Sequence, residues 1–423
     1  MARDGEQPVP LVSVLMANFN GAAFIEDAVR SVFEQTLADL ELIVVDDGST
    51  DDSIARLLAI GRTEPRLRIF RRETSGGPGA ARNAALDAAQ GRWLAVVDSD
   101  DLIHPERLAA MVAEAEQTGA DILLDDLLIF AHKGDARPAT LFSGAYADKA
   151  QWVSLPDYIH SNRLFGRETP LGFAKPLIRR AALNRAGLRY VEDLPVGEVY
   201  DLLARAMIHG LRMRTTPRVG YFYRKHNASI SHRLDEARIL AMAANAGSLR
   251  RAYARPEIET VLQAREDSIA DAFAFHHFIA ALKRRDLRRA LDLALERPRA
   301  IAPIRTTITD KLSALGRKLR PAKPAPRRDL VLISRQRVIG PVNGSSAYLL
   351  SICRSLRQAG FNLTFLGPSP AAFGRWPVMR LGPEMAIFDE VLIRGGLRVG
   401  DFMIARDPRV LGKALLTGVE LVL

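Results

Sequence analysis

With 423 residues the chain is long enough for two or three domains, and its 48% hydrophobic and 26% charged residues are those of a globular enzyme or binding protein. Collagen-like and wholly disordered classes are excluded, and the one cysteine, Cys353, excludes disulfide scaffolds and cysteine-rich zinc sites. A net charge of +10 admits nucleic acid, a phosphate-bearing substrate or an anionic membrane surface as partner without choosing among them.

The first residues lack the apolar core of a secretory signal, and nowhere do roughly 18 apolar residues run together, so a cytoplasmic protein without a membrane span is expected. Over residues 1–130 short β-rich runs alternate with helical patterns. Strands are expected at Val12 to Ala17, Glu41 to Asp46, Leu67 to Arg71, Trp93 to Asp98 and Ile122 to Phe130, giving an α/β fold with a Rossmann-like, mostly parallel sheet. Phe24, Ile25, Ala28, Val29, Val32 and Phe33 repeat at helical spacing as one buried stripe. Ser49 to Asp51 suit a helix cap, and Pro105 suits the first turn of the helix after Asp101. Trp93 and Phe130 read as core, and His104 as helix-entry packing or solvent contact rather than a metal ligand.

Residues 150 to 230 are broken into short elements by Pro156, Pro170, Pro176, Pro195 and Pro217 and read as an acceptor lobe or an insertion. From Leu234 to Leu295 the pattern is helical, with Phe273, Phe275, Phe278 and Ile279 as an apolar surface and Lys283 to Arg285 as a solvated edge. Residues 299–328 hold nine Lys or Arg and a single acid, Asp310, and read as a basic, proline-rich linker. Within it Ile308, Leu312, Leu315 and Leu319 share a helical face, either for peripheral contact of 308–320 with an anionic membrane or for packing on the protein itself. The α/β pattern then restarts with strand Leu330 to Ser334, Gly340 and Gly344 before a helix at Ser346 to Ala359, and strand Asn362 to Leu366, a small partial Rossmann-like unit.

Ligands of a parallel α/β sheet bind beyond the carboxyl ends of its strands, and two expected strands end in acids. Strand two ends in Val44-Val-Asp46-Asp47-Gly48-Ser-Thr-Asp51, strand four in Val96-Val-Asp98-Ser-Asp100-Asp101. Asp98 and Asp100, one residue apart, suit a hard cation, Mg²⁺ or Mn²⁺, that also takes diphosphate oxygens. Asp46 or Asp47 suits hydrogen bonds from a nucleobase or ribose. Ser75-Gly76-Gly-Pro-Gly79-Ala-Ala-Arg82-Asn83 supplies a turn, a helix start and a cation for phosphate or sugar.

Together with Ser13-Val-Leu-Met-Ala17-Asn-Phe-Asn20 and Ser31-Val-Phe-Glu-Gln-Thr36, these segments resemble the family 2 glycosyltransferases, inverting, nucleotide-sugar-dependent enzymes of the A-type glycosyltransferase fold. The resemblance runs from about Val12 to His232. It implies that Asp47, with the neighbourhood of Ala17 and Asn20, holds the nucleoside and that Asp98 and Asp100 form the metal-linked Asp-x-Asp motif. The resulting division is a transferase domain at 1–232 (donor half 1–130, acceptor half 131–232), a helical appendage at 233–298, the linker, and a unit at 329–423 resembling the opening of a B-type glycosyltransferase.

Ala17 stands where the family usually has proline. In the acceptor-side motif, Gly197-Glu198-Val199-Tyr200-Asp201-Leu202, valine occupies a position where an acid is expected, and valine cannot take a proton from an attacking hydroxyl. Glu198 is the first candidate for that base, Asp201 the second and Glu192-Asp193 the third; the bland reading makes Glu198 and Asp201 polar positions of a helix start. Arg224, Lys225, His226 and His232 read either as groups folding over a diphosphate or as a solvated charge run, and Asn227-Ala-Ser229 as a glycosylation acceptor that a cytoplasmic protein would not use.

The chain has neither the Gln-x-x-Arg-Trp motif nor the transmembrane helices of the family's processive synthases, so single-sugar transfer is expected, from a nucleoside diphosphate sugar to a hydroxyl of a lipid-linked or polysaccharide-precursor glycan. Two rivals stand beside it. A nucleotidyltransferase would need a glycine-rich, lysine-bearing loop where the chain has Asn18-Phe-Asn-Gly21, and a non-catalytic nucleotide-sugar-binding or scaffold subunit would account for Val199. Nucleic-acid binding is not expected, because the positive charge is concentrated in the linker and no reader motif accompanies it.

Overall fold

The structure is a computed structural model describing residues 9–131, 139–166, 168–226 and 235–301, together with strand segments between 328 and 422. Its elements run β1 (Val12–Asn18), α1 (Ile25–Phe33), β2 (Leu40–Asp46), α2 (Ser53–Gly61), β3 (Leu67–Arg71), α3 (Gly77–Ala88), β4 (Trp93–Val96), β5 (Leu102–Ile103), α4 (Arg107–Thr118) and β6 (Ile122–Ala131). Then follow β7 (Ala139–Thr140), α5 (Ala145–Asp148), β8 (Gln151–Val153), α6 (Leu155–Ser161), β9 (Leu177–Arg179), α7 (Arg180–Arg185), α8 (Glu198–Ile208) and β10 (Met213–Lys225). Three helices succeed them: α9 (Glu236–Tyr253), α10 (Pro256–Lys283) and α11 (Leu287–Glu296).

The sheet has the order β3-β2-β1-β4-β9-β6-β10-β5, with β3, β2, β1, β4, β6 and β10 running one way and β9 and β5 reversed. It is the α/β, mostly parallel sheet expected from the sequence. Alternation along its strands separates two cores. Val12, Val14 and Met16 of β1 pack with Ile25, Ala28, Val29 and Val32 of α1 and with Leu108 and Met111 of α4. Leu15, Ile43 and Val45 point the other way, onto Ala81 and Ala85 of α3 and toward Leu202 and Leu203 of α8. Each of the buried Val, Leu, Ile and Met side chains contributes on the order of 1.5–3 kcal/mol, and each alanine methyl less. Trp93 and Phe130 are buried as expected.

Residues 150 to 230 supply β9 and β10 to the same sheet, β9 between β4 and β6 and β10 beside β6. Pro217 disguised the 13-residue β10: the ladder to β6 shifts register between Thr216 and Val219 and again before Tyr221, and a bulge there tolerates a residue without an N–H. Helix α4 also begins at Arg107, later than expected, because Pro105 accepts from the Thr36 N–H and His104 accepts from the Arg107 N–H in a preceding turn.

Leu249, Ile258 and Leu262 of α9 and α10 belong to the same core cluster as α8. In the C-terminal part, the expected strands appear as Arg328–Ile333 and Phe361–Leu366, paired in parallel within a four-stranded sheet. Linker residues 302–327 with the 308–320 face, Gly340, Gly344, the Ser346 to Ala359 helix, Cys353, His232 and Asn227 to Ser229 lie outside the described residues. No helix among the described residues is long and apolar enough to cross a membrane.

Beneath the sheet's carboxyl edge, Arg107 and Asp125 form an ion pair with both side chains 0% exposed, with Nε–Oδ2 at 2.8 Å and Nη2–Oδ1 at 2.9 Å, and Arg107 Nη2 also donates to the Lys175 carbonyl. Burial pushes the Asp125 carboxyl up and the Arg107 guanidinium pulls against it. Gly220 makes room: a Cβ there would lie 2.3 Å from Asp125 Oδ2. Removing one partner strands a buried charge, so Asp125→Ala is expected to lower unfolding stability by about 3–5 kcal/mol in urea titration.

Candidate active site

The loops after β1, β2 and β4 leave adjacent parallel strands at the same edge of the sheet, which puts residues 18–20, 46–51 and 97–101 side by side. The Asn18 side chain and Ser99 Oγ both border Gly21, whose missing Cβ would lie 2.2 Å from Asn18 Oδ1 and 3.3 Å from Ser99 Oγ.

Asp46 is fully buried and closes the end of β2, accepting from Asn18 Nδ2 at 2.8 Å and the Ser49 N–H at 2.9 Å. Asp47 turns toward the glycine loop. Its carboxylate accepts from Ser75 Oγ (2.7 Å) and the Gly76 (3.0 Å) and Gly77 (2.8 Å) N–H groups and pairs with Arg72 Nε at 2.9 Å. Gly77 has φ +83°, and a Cβ on Gly79 would lie 2.8 Å from the Val191 carbonyl, so these two of the motif's three glycines are required where they stand. Asn20, at φ 51°, accepts from the Thr50 N–H and donates its own N–H to Ser49 Oγ, while Ala17 sits in the ladder opposite Val45.

Arg82, two turns into α3, is 5% exposed and lies between two carboxylates. Nη2 donates to Asp98 Oδ1 at 2.8 Å and Nη1 donates to Glu198 Oε1. Lys175, just before β9, places Nζ 2.6 Å from Asp98 Oδ2. Burial alone would raise the Asp98 carboxyl, but Lys175 and then Arg82 hold it well below the usual carboxylate range. Burial likewise would lower the Arg82 guanidinium, and Asp98 followed by Glu198 raises it instead. Burial pushes the neighbouring Tyr190 hydroxyl up to about 12.

Carboxylate oxygens of Asp98, Asp100 and Asp101 lie within 4.8 Å of one another. Asp101 is committed to the protein, accepting from the Tyr221 hydroxyl and the Arg224 N–H at 2.7 Å each; burial, then Asp100 and Asp98, pushes its carboxyl up. Asp100 faces His226, with Nε2 2.7 Å from Oδ2, and Phe24 of the β1–α1 loop packs on the same imidazole. The carboxylates of Asp98 and Asp100, with His226 paired to Asp100 beside them, are oxygen and nitrogen donors of a kind that would suit Mg²⁺ or Mn²⁺.

Glu198 opens α8, where the helix N-terminus favours a carboxylate, after Gly197 at φ +89°. Val199 is 5% exposed and belongs to the hydrophobic core. Asp201 is drawn away from the acidic cluster: it pairs with Arg205 and accepts from Asn245 Nδ2 of α9 at 3.0 Å. Glu192 accepts from Asn83 Nδ2, and Asp193 is exposed. The structure therefore joins Arg82, Asp98 and Glu198 directly, Asp100 to Asp98, and Asp47 to Gly76, and leaves Asp201 apart. Sequence reasoning missed Lys175, since a lone lysine before a proline carries no signal.

Residues 13–184 match the family model for glycosyl transferase family 2. The succinoglycan biosynthesis protein ExoO of Rhizobium meliloti (strain 1021) is 36% identical over 332 residues, 78% of this chain and 94% of that protein. ExoU of the same organism is 33% identical over 323 residues, 74% of this chain and 91% of that protein. Among solved structures, S. aureus TarS 1-349 in complex with UDP-GlcNAc aligns with a TM-score of 0.49 at 23% identity, covering 69% of this chain and 81% of that one. The chain belongs to the family 2 glycosyltransferases.

His104 is 8% exposed at the entry to α4, where Nδ1 accepts from the Glu106 N–H at 3.2 Å. Burial, then the charge of Arg218, lowers its imidazole to about 4. The native ring stays neutral while an unfolded one takes up a proton below its ordinary 6.5, so the stability that His104 supports is complete above that pH and lost on descending toward 4. Unfolding free energy is expected to fall by about 3 kcal/mol across that window through this group, and His104→Gln to flatten that part of the profile in urea titrations from pH 7 to 4.

Proposed function

We propose that this chain is an inverting transferase that moves a single sugar from a nucleoside diphosphate sugar to a hydroxyl of a lipid-linked or polysaccharide-precursor glycan. The observation that carries this reading is the Arg82 bridge, which joins Asp98 of the donor-side motif to Glu198 of the acceptor-side motif. The names of ExoO and ExoU, succinoglycan biosynthesis proteins, support a role in polysaccharide assembly.

Asp47, the Asn20 loop and Gly76 line the nucleoside end, with Asp46 holding the strand-end turn beneath them. Asp98 and Asp100 form the diphosphate end, with His226 beside Asp100. A divalent cation bound there would offset the negative charge of the departing diphosphate. Glu198 pairs with Arg82 through Oε1, which leaves Oε2 without a partner among the described residues to receive the acceptor proton. The acceptor oxygen attacks the anomeric carbon and its proton passes to Glu198. The bond to diphosphate breaks with the electron pair leaving on the nucleoside diphosphate, and configuration inverts.

Asp100→Asn is expected to abolish turnover with folding intact, and wild-type rates in that variant would refute the role. Glu198→Gln is expected to lower kcat about a hundredfold or more with donor affinity kept, read by calorimetric titration against a panel of nucleoside diphosphate sugars with and without Mn²⁺. Donor binding with neither transfer nor slow hydrolysis would favour the non-catalytic subunit, the reading that the buried Val199 supports.

A further inference from the structure

Helix α11 has two apolar faces. Ala290 and Leu293 are buried, whereas Leu287, Leu291 and Leu295 are 70%, 60% and 70% exposed. Their four-residue spacing sets them in one row about 12 Å long. Single exposed leucines are ordinary on a protein surface, but three in register on one helix mark a contact surface. Lys283, Arg284 and Arg285 in the preceding turn and Arg288 on the helix are exposed, and they make no ion pair with a described residue. From Leu282 to Arg299 the sequence carries seven Lys or Arg against three acids. Of those acids, Asp286 caps the helix by accepting from the Arg289 N–H, Asp292 stands one turn after Arg288 on the same flank of the leucine row and Glu296 one turn further, so cations outnumber acids around the row without excluding them.

We infer that this face of α11 docks on an anionic lipid surface. The row lies along the helix axis, so the leucines enter the apolar boundary together while the neighbouring cations remain among phosphates. A second copy would bring the same positive charge against it. A three-turn row also has a footprint on the order of 10² Å², far below the ~800 Å² per partner of a stable protein interface. The chain's own 299–328 segment, with nine basic residues and one acid, presents like charge as well, whereas anionic headgroups complement both. This surface lies within the described residues and is separate from the 308–320 face expected from sequence.

The test is flotation of the full chain with vesicles of phosphatidylcholine alone or with about a third phosphatidylglycerol. Binding is expected to the anionic vesicles only, to weaken as salt rises, and to fall about tenfold or more in the Leu287→Gln, Leu291→Gln, Leu295→Gln triple variant. Because these side chains are exposed, that variant is expected to keep the wild-type circular dichroism. Equal binding to neutral vesicles, unchanged binding of the leucine variant, or a wild-type dimer that the variant dissociates would each overturn the inference. Sugar transfer is a separate measurement, and either can fail without the other.

Discussion

The buried guanidinium of Arg82 is the contact on which the geometry of the site depends. It reaches Asp98 after β4 and Glu198 at the start of α8, two carboxylates far apart in the chain, and Lys175 adds a second cation on the other oxygen of Asp98. Two cations against two carboxylates give a locally balanced charge, without which burying any of the four would cost several kcal/mol. The same pairing fixes the distance between the loop after β4 and the start of α8.

The rest of the fold holds Arg82 at that point. Helix α3 begins where the Asp47 carboxylate gathers the Ser75 hydroxyl and the Gly76 and Gly77 N–H groups, and it approaches the 191 loop closely enough that residue 79 has no room for a side chain. Ala81 and Ala85 then bury the opposite face against Ile43 and Val45. The helix start and its core face together direct Arg82 to the carboxyl edge of the sheet, beside the acidic loop that follows β4.

Helices α9 and α10 bear on the same site through α8. Asp201 is tied to Asn245 of α9, and Arg265 of α10 lies 3.7 Å over the Tyr200 ring. These contacts grip the first turns of α8, the helix that presents Glu198. A segment that reads in sequence as an appendage thereby helps orient a candidate catalytic carboxylate, while its last helix, α11, turns leucines outward.

Much of this was legible in the sequence. The strands β1, β2, β3, β4 and β6 and the α1 stripe are recorded in local periodicity, because alternation and helical spacing are properties of neighbouring residues. The acidic strand ends and the glycine motif were equally visible, since turn and cap chemistry is local. Strand β10 was hidden by Pro217, whose effect depends on a bulge against β6. Only the tertiary structure decided that Asp46 closes a turn while Asp47 faces the glycine loop, that Val199 is core, that Asp201 pairs with α9, and that Lys175 shares Asp98 with Arg82. Those outcomes rest on burial and on distances between charges brought together from remote parts of the chain, and no spacing along a sequence encodes either.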